Sequence, residues 1–101
     1  MTPLFDITTV SGIGDYTVAT DTHDDRPRTI YSKDDKAFLI INPHTIEVRT
    51  DAELSQLLRD KYESVMTSRY FGRGGIEVVL AGAQLSSDEL QDLVRLSYNL
   101  S

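Results

Sequence analysis

The chain has 101 residues, no cysteine and a formal net charge of −6 at pH 7. A chain of this length forms one domain, here residues 1–101, with a single hydrophobic core. The lack of cysteine excludes disulfides, thiolate chemistry and cysteine-ligated zinc or iron–sulfur sites. With 40% hydrophobic and 26% charged residues, the composition is typical of a globular protein rather than a disordered one.

The acidic net charge and the absence of long apolar runs limit the kinds of partner that the protein is expected to bind. A net negative charge repels nucleic acid and anionic membranes, so binding to a polyanion requires a local basic patch. No basic segment followed by an apolar run opens the chain, and no window approaches the ~20 apolar residues that span a bilayer. We therefore expect a soluble, cytoplasmic protein without a membrane partner.

The N-terminal segment, residues 1–27, has no clear pattern and is the poorly defined part of the domain. Thr2 and Pro3 favour a helix start, but β-branched residues and two glycines soon follow. Three apolar residues are candidate core anchors: Leu4, Phe5 and Ile7. We expect a short helix or irregular segment, then a strand near Tyr16–Ala19, and then a polar, mobile loop over residues 21–27.

Three strands are predicted in the next part of the chain, at Thr29–Tyr31, Ala37–Ile41 and Thr45–Thr50. The second, which reads AFLII, is a continuous apolar run typical of a central strand. In the third, Ile46 and Val48 alternate with polar residues, which predicts one buried and one wet face. Short turns separate the strands, so together they predict a meander.

Two capping boxes indicate where helices begin. Thr50 with Glu53 predicts the start of the first helix, and Ser86 with Glu89 predicts the start of the second. The apolar face expected for the first helix consists of Leu54, Leu57, Leu58, Tyr62, Val65 and Met66. The face expected for the second consists of Leu90, Leu93, Val94, Ser97 and Tyr98.

A Gly-rich segment lies between the two predicted helices. Thr67–Phe71 is predicted as extended, and FGRGG, residues 71–75, as a hairpin turn, because glycines supply the positive φ values that such turns need. Ile76–Leu80 is the next strand. Its only polar residue, Glu77, is expected on a wet face, and Val79 makes that face partly apolar.

The predicted order is a short helix or strand followed by β, β, β, α, β, β, α. Strands that occur in hairpins, without alternation of strand and helix, are typical of an antiparallel sheet. The fold class predicted is therefore α+β, with two layers, an antiparallel sheet of about five strands and helices on one face.

Four stretches of the chain, beginning near Arg28, carry a resemblance to a known family. They are DKAFLII with Lys36 and Phe38, DAELSQLLRDKY, the Arg69–Leu80 hairpin, and the closing DELQDLVRLSYNL with Ser97 and Tyr98. Their order resembles that of the MmcQ/YjbR family of small bacterial proteins. The resemblance implies a two-layer α+β fold similar to secretion chaperones, DNA binding by association, and no enzymatic activity. The chain departs from the family pattern in two places: the hairpin lacks tryptophan, and the long N-terminal helix is missing.

The best candidate binding feature is the basic, Gly-rich hairpin with Arg69, Tyr70, Arg73 and Gly74. Two guanidinium groups and free backbone N–H groups can hold a phosphate or carboxylate, and the aromatic ring can stack on a base. The alternative is a solvent-exposed hairpin tip whose arginines pair with nearby acids. FGRGG matches neither a P-loop nor a dinucleotide-binding motif, which favours the alternative.

The sequence predicts no catalytic residues, no metal site and no cofactor. His23 and His44 are the only histidines, and both lie in predicted turns without ligand spacing. The serines lack a nucleophile motif, and adjacent acids in polar loops are expected to be solvated rather than catalytic. An enzyme would need a deep pocket with convergent polar groups.

Two functional classes remain. The first is a non-enzymatic interaction module that binds a protein partner or self-associates through a sheet face or an edge strand, as the apolar Val79 and the net acidity suggest. The second is a nucleic-acid-binding protein of the MmcQ/YjbR type that uses the basic hairpin. The net charge of −6 disfavours the second class.

Overall fold

A computed structural model gives the fold and describes residues 5, 7–23, 25–80 and 84–100. Its elements are a 3₁₀ helix (Ile7–Thr9), β1 (Thr17–His23), β2 (Arg26–Lys33), β3 (Lys36–Ile41), β4 (Thr45–Arg49), α1 (Ala52–Lys61), β5 (Val65–Ser68), β6 (Gly72–Val79) and α2 (Ser87–Leu100). The helix start predicted at Thr2 and Pro3, with Leu4, lies outside the described residues. Within them, neither helix is long and apolar enough to cross a membrane.

The six strands form one antiparallel sheet in the order β1-β2-β3-β4-β6-β5. This confirms the predicted α+β class with an antiparallel sheet and adds one strand to the five expected. The edges of the sheet are β1 and β5. Val79, whose apolar side chain suggested association through a sheet face, is partly buried, and its strand β6 lies inside the sheet between β4 and β5.

A mobile loop was expected over residues 21–27, but residues 21–23 belong to β1 and residues 26–27 to β2. The pairing of β1 with β2 continues without a break to His23↔Arg26, so only two residues connect the strands. Pro27 is compatible with this hairpin although it has no backbone N–H. The residues that flank a two-residue turn, here His23 and Arg26, hydrogen-bond to each other, so an amide at residue 27 would point away from β1. The strand on the other side of β2 is β3, which pairs with β2 only from Thr29 onward, so no hydrogen bond from residue 27 is required there.

The capping box predicted for the first helix is wrong. Asp51 is the N-cap, and its carboxylate accepts a hydrogen bond of 2.7 Å from the backbone N–H of Leu54. The hydroxyl of Thr50 is buried and has no hydrogen-bond partner among the described atoms. Aspartate and threonine both suit an N-cap, and the path of the chain out of β4 places Asp51 there.

The predicted apolar face of the first helix is also partly wrong. Helix α1 ends at Lys61, so Val65 and Met66 belong to β5. Leu57 is 62% exposed and does not reach the core. Only Leu58 and Tyr62, at the end of the helix, pack partly buried against the core. The periodicity continued across a helix end that no proline or glycine marks.

The capping box of α2 is confirmed. The backbone N–H of Ser86 donates to Glu89 Oε1 at 3.3 Å, and the N–H of Glu89 donates to Ser86 Oγ at 3.2 Å. Four residues of the predicted face are buried: Leu93, Val94, Ser97 and Tyr98. Leu90, the fifth, is partly buried against the same core.

The hydrophobic core covers one face of the sheet. Residues paired across strands project to the same side, and the rows on this face contain Leu39, Ile41, Ile46, Val48, Ile76 and Val78. Both helices contribute to the same cluster, with Leu58 from α1 and Val94 from α2. Two predicted anchors of the N-terminal segment, Phe5 and Ile7, are buried in it as well.

Ser97 fastens α2 to the sheet. Its hydroxyl donates to the carbonyl of Phe38 and accepts a hydrogen bond of 2.7 Å from the backbone N–H of Arg49. The pairing of β3 with β4 extends only to Leu39↔Val48, and Phe38 and Arg49 would form the next pair. The hydroxyl therefore satisfies two backbone groups that the β3–β4 ladder leaves open where it ends.

The opposite face of the sheet carries two glutamates, and we call it the glutamate face. Ile30, Ile40, Glu47 and Glu77 form one row on it, from β2 to β6. The turn between β5 and β6, residues 69–71, lies over this row, because Arg69 donates hydrogen bonds to Glu77 and the backbone N–H of Tyr70 donates one to Glu47. The predicted turn at residues 71–75 is thus displaced, because β6 begins at Gly72.

The close approach of this turn explains one of the glycines. A Cβ atom on Gly75 would lie 2.6 Å from the Cβ of Phe71 and 2.6 Å from the carbonyl oxygen of Val48. Neither contact is sterically allowed, so Phe71 packs against the sheet only if residue 75 lacks a side chain. Gly72, with φ of 65°, supplies the positive φ at the end of the turn.

Gly75→Ala is therefore expected to lower the free energy of unfolding by about 2 kcal/mol or more, since the turn must move off the sheet. Gly74→Ala is the matched control, because its nearest neighbour would be 3.8 Å away. That variant is expected to stay within about 1 kcal/mol of the wild type. Urea denaturation followed by circular dichroism measures both, and equal losses would contradict the close approach.

The capping box also predicts a pH dependence. A hydrogen bond from the backbone N–H of Ser86, followed in importance by one from the Tyr62 hydroxyl, holds the pKa of Glu89 below its usual value of 4.5. A depressed folded-state pKa contributes stability above the unfolded-state pKa and loses it as the pH falls through the folded-state value. Glu89→Gln should therefore be less stable than wild type at neutral pH. The two stabilities should converge in acid below 4.5, as measured by urea denaturation at several pH values.

Candidate functional site

Two glutamates are buried side by side on the glutamate face. Glu47 and Glu77 are direct partners in the β4–β6 pairing, and each is 2% exposed. The sequence predicted a wet face here because polar residues alternate with apolar ones in β4 and because Glu77 is the only polar residue of the run Ile76–Leu80. The prediction of a wet face is wrong, since the β5–β6 turn covers both side chains. Buried carboxylates are stable only when hydrogen bonds replace water.

Glu47 is satisfied by three donors. Its Oε1 accepts hydrogen bonds from the Ser68 hydroxyl at 2.8 Å and from the backbone N–H of Tyr70 at 2.9 Å. Its Oε2 accepts one from Asn42 Nδ2 at 2.8 Å. None of these donors carries a formal charge, in contrast to the partner of the neighbouring Glu77.

Glu77 is satisfied by an arginine. Arg69 donates from Nε to Oε1 at 3.0 Å and from Nη2 to Oε2 at 2.8 Å, a bidentate pair. Thr45 Oγ1 donates to Oε2 at 2.8 Å and accepts a hydrogen bond from Asn42, which links the two glutamates into one network. Arg69 is thus held by an acid, as the alternative interpretation of the hairpin predicted.

A cleft of ≈ 550 Å³ opens beside the turn on the same face. The lining residues that can contact a ligand through charge or an aromatic ring are Arg26, Arg28, His44, Glu47, Arg69 and Tyr70. Arg26 and Arg28 come from β2, where alternate residues share a face, and Arg69 comes from the β5–β6 turn. Three guanidinium groups from distant parts of the sequence therefore meet in one concave site.

Arg28 is held in place but keeps a free donor. Its Nη2 forms an ion pair of 2.9 Å with Asp21, and its guanidinium carbon lies 5.4 Å from the centroid of the Tyr70 ring. Its Nε is buried and has no hydrogen-bond partner among the described atoms. A buried donor without a partner costs free energy, which a ligand acceptor that reached this nitrogen would offset.

The predicted site residues divide into two groups. Arg69 and Tyr70 line the cleft. Arg73 does not line it and is exposed on β6, and Gly74 uses its carbonyl to accept a hydrogen bond of 2.9 Å from the backbone N–H of Thr50. Lys33 is also elsewhere, with its ammonium 4.5 Å from the Tyr98 ring centroid. The basic residues therefore do not form one continuous positive face.

Sequence reasoning missed Arg26, Arg28 and His44. The two arginines lay at or beside a predicted loop, although their spacing of two is the signal of a shared strand face. His44 was expected in a turn, and it lies in the β3–β4 turn at the rim of the cleft. Across the residues that the structure describes, no group of three or more histidines and acids could hold a metal ion.

Comparisons with known proteins identify no relative of this chain. No protein-family model matches the chain, and neither curated proteins nor solved structures contain a significant match. The candidate site therefore stands on its geometry alone.

Removing Arg69 should be costly for stability. Arg69→Ala leaves Glu77 buried without a cation, so we expect a loss of about 3 kcal/mol in the free energy of unfolding. Arg73→Ala removes the same charge from an exposed position and should change stability by about 0.5 kcal/mol or less. Adding Glu77→Gln to Arg69→Ala should recover part of the loss. Urea denaturation tests all three, and additive effects in the double variant would contradict the ion pair.

Proposed function

We propose that the protein is a non-enzymatic binding module that takes the phosphate group of a small ligand into the arginine-lined cleft. The observation that carries this proposal is the convergence of Arg26, Arg28 and Arg69, together with the unpartnered Nε of Arg28. Guanidinium groups match phosphate oxygens in pairs, which makes arginine well suited to phosphate recognition.

The arginines are pre-organised for this role. Asp21 holds Arg28 from one side and Glu77 holds Arg69 with two hydrogen bonds. Side chains that are already fixed lose little conformational entropy when a ligand arrives. Arg26 is exposed and makes no ion pair with the residues that the structure describes, so its charge is available to a ligand.

A small ligand suits the site better than a long polyanion. The cleft volume of ≈ 550 Å³ lies in the range of small-molecule pockets. Contacts inside a cleft act at short range and tolerate a net charge of −6, which opposes the approach of a polymer. Tyr70, 42% exposed beside the arginines, offers a ring for a planar group, so a nucleotide is the simplest ligand that uses both features.

Binding rather than catalysis is supported by the state of the two carboxylates. Glu47 and Glu77 have the burial that a catalytic acid needs. Both, however, already accept hydrogen bonds from protein donors on each oxygen. A general base must reach a proton of the substrate, and these oxygens are engaged in holding the turn.

Nucleic-acid binding of the MmcQ/YjbR type is the second candidate, and the exposed position of Arg73 is the observation that favours it. A strand that follows the hairpin would contact Arg73 as well as Arg69 and Tyr70. A cleft ligand would contact Arg26 and Arg28 and leave Arg73 free. The two candidates therefore predict different sensitive residues.

Isothermal titration calorimetry with pyrophosphate, a mononucleotide and a short single-stranded oligonucleotide tests the proposal. Arg26→Ala and Arg28→Lys should each weaken mononucleotide binding about tenfold, since a charge-assisted hydrogen bond contributes roughly 1.5–3 kcal/mol. Arg28→Lys keeps the positive charge beside Asp21 and loses the planar fork. Arg73→Ala, which removes the same charge as Arg26→Ala, should leave affinity within about twofold.

The outcomes separate the candidates. Stronger binding of the oligonucleotide, with a loss in Arg73→Ala and a steep dependence on salt, would favour nucleic-acid binding over the cleft ligand. No binding of any of the three probes at millimolar concentration would show that the cleft is not a phosphate site.

A further inference from the structure

One edge of the sheet is unprotected. Strand β1 pairs with β2 over Thr17–His23 without a register shift, and the side chains of residues 17–22 are exposed. The other edge, β5, has only four residues and an irregularity beside Ser68. Proteins guard edge strands with proline, lysine, bulges or short length. Strand β1, which reads TVATDTH, has none of these protections, and its one acidic residue, Asp21, is paired with Arg28.

The hairpin determines which backbone groups of β1 point outward. His23 and Arg26 flank the two-residue turn and therefore bond to each other. Hydrogen bonding alternates along an antiparallel strand, so the odd-numbered residues of β1 bond to β2. Val18, Thr20 and Thr22 consequently direct their amides and carbonyls away from the sheet.

From this edge we propose that the protein forms a twofold dimer in which β1 pairs antiparallel with β1 of a second copy, centred on Thr20. Thr20 is the middle residue of β1, so this register makes the longest ladder that the strand allows. Thr20 lies opposite the partner's Thr20, and Val18 lies opposite the partner's Thr22. All these residues have free backbone groups, and their β-branched side chains form favourable cross-strand pairs.

The side chains support a second copy as the occupant. The charged residue among the exposed side chains of β1 is Asp21, and this register places it opposite the partner's Ala19. Asp21 is in addition neutralised by Arg28. Val18, 54% exposed, would be covered beside Tyr31, its neighbour in β2. A net charge of −6 on each copy opposes association, so the dimer should tighten as salt is added.

The chain contains no cysteine, which permits a clean cross-linking test. In the proposed dimer the two copies of residue 20 form a hydrogen-bonded pair with Cα atoms about 5.5 Å apart, within the range of disulfides. Thr20→Cys should therefore form a covalent dimer on mild oxidation. Thr22→Cys is the matched control, because its copies lie about 13 Å apart along the strand and should remain reduced.

Sedimentation velocity of the wild type at high micromolar concentration completes the test. We expect a dimer, and we expect Thr20→Pro to be a folded monomer because it removes only an amide that points outward. A monomeric wild type, or cross-linking of Thr22→Cys as fast as Thr20→Cys, would overturn the proposal. A dimer that persists in Thr20→Pro would place the interface elsewhere. None of these outcomes depends on ligand binding in the cleft.

Discussion

The burial of two neighbouring carboxylates under one turn is the constraint on which the glutamate face depends. Glu47 and Glu77 face each other across β4 and β6, and like charges in that position repel. The repulsion is offset because the β5–β6 turn brings Arg69 to one carboxylate and a backbone amide to the other. The turn therefore has one position on the sheet, and Gly75 lacks a side chain because the turn lies so close there.

The candidate binding site is a consequence of the same constraint. With the turn held over the glutamates, Tyr70 and Arg69 form one wall of a cleft whose other wall is β2. Partly exposed ion pairs of this kind contribute little net stability compared with apolar packing. Their value lies in geometry, since Arg69 and Arg28 are both presented by acids that hold them in place. Stability and the shape of the cleft are thus coupled through Glu77.

The β1–β2 hairpin contributes to both the proposed phosphate-binding cleft and the proposed dimer, and neither of these depends on the other. One face of β2 supplies Arg26 and Arg28 to the cleft, while the outer edge of β1 offers backbone groups to a second copy. Asp21 takes part in both. It orients Arg28 beside the cleft, and the same arginine neutralises the aspartate charge, which leaves β1 with little net charge. A dimer formed through β1 would join the glutamate faces of two subunits into one surface, with a cleft on each side of the twofold axis.

The sequence by itself determined the elements whose signals are local. The capping box of Ser86 and Glu89, the apolar run of β3 and the buried stripe of α2 depend on neighbours within a few residues, and all were predicted correctly. Of the cleft, it predicted Arg69 and Tyr70, which adjoin in one turn, and missed Arg26 and Arg28, which meet them only in space.

Only the tertiary structure decided which polar residues are buried. An alternating strand predicts that one face is wet, and Glu77 follows that pattern, yet a turn from another part of the chain lies over it. The choice of Asp51 over Thr50 as a cap likewise depends on the path of the chain between strand and helix. Local periodicity indicates which residues share a face of a strand or helix, whereas the burial of that face depends on long-range contacts that no short pattern contains.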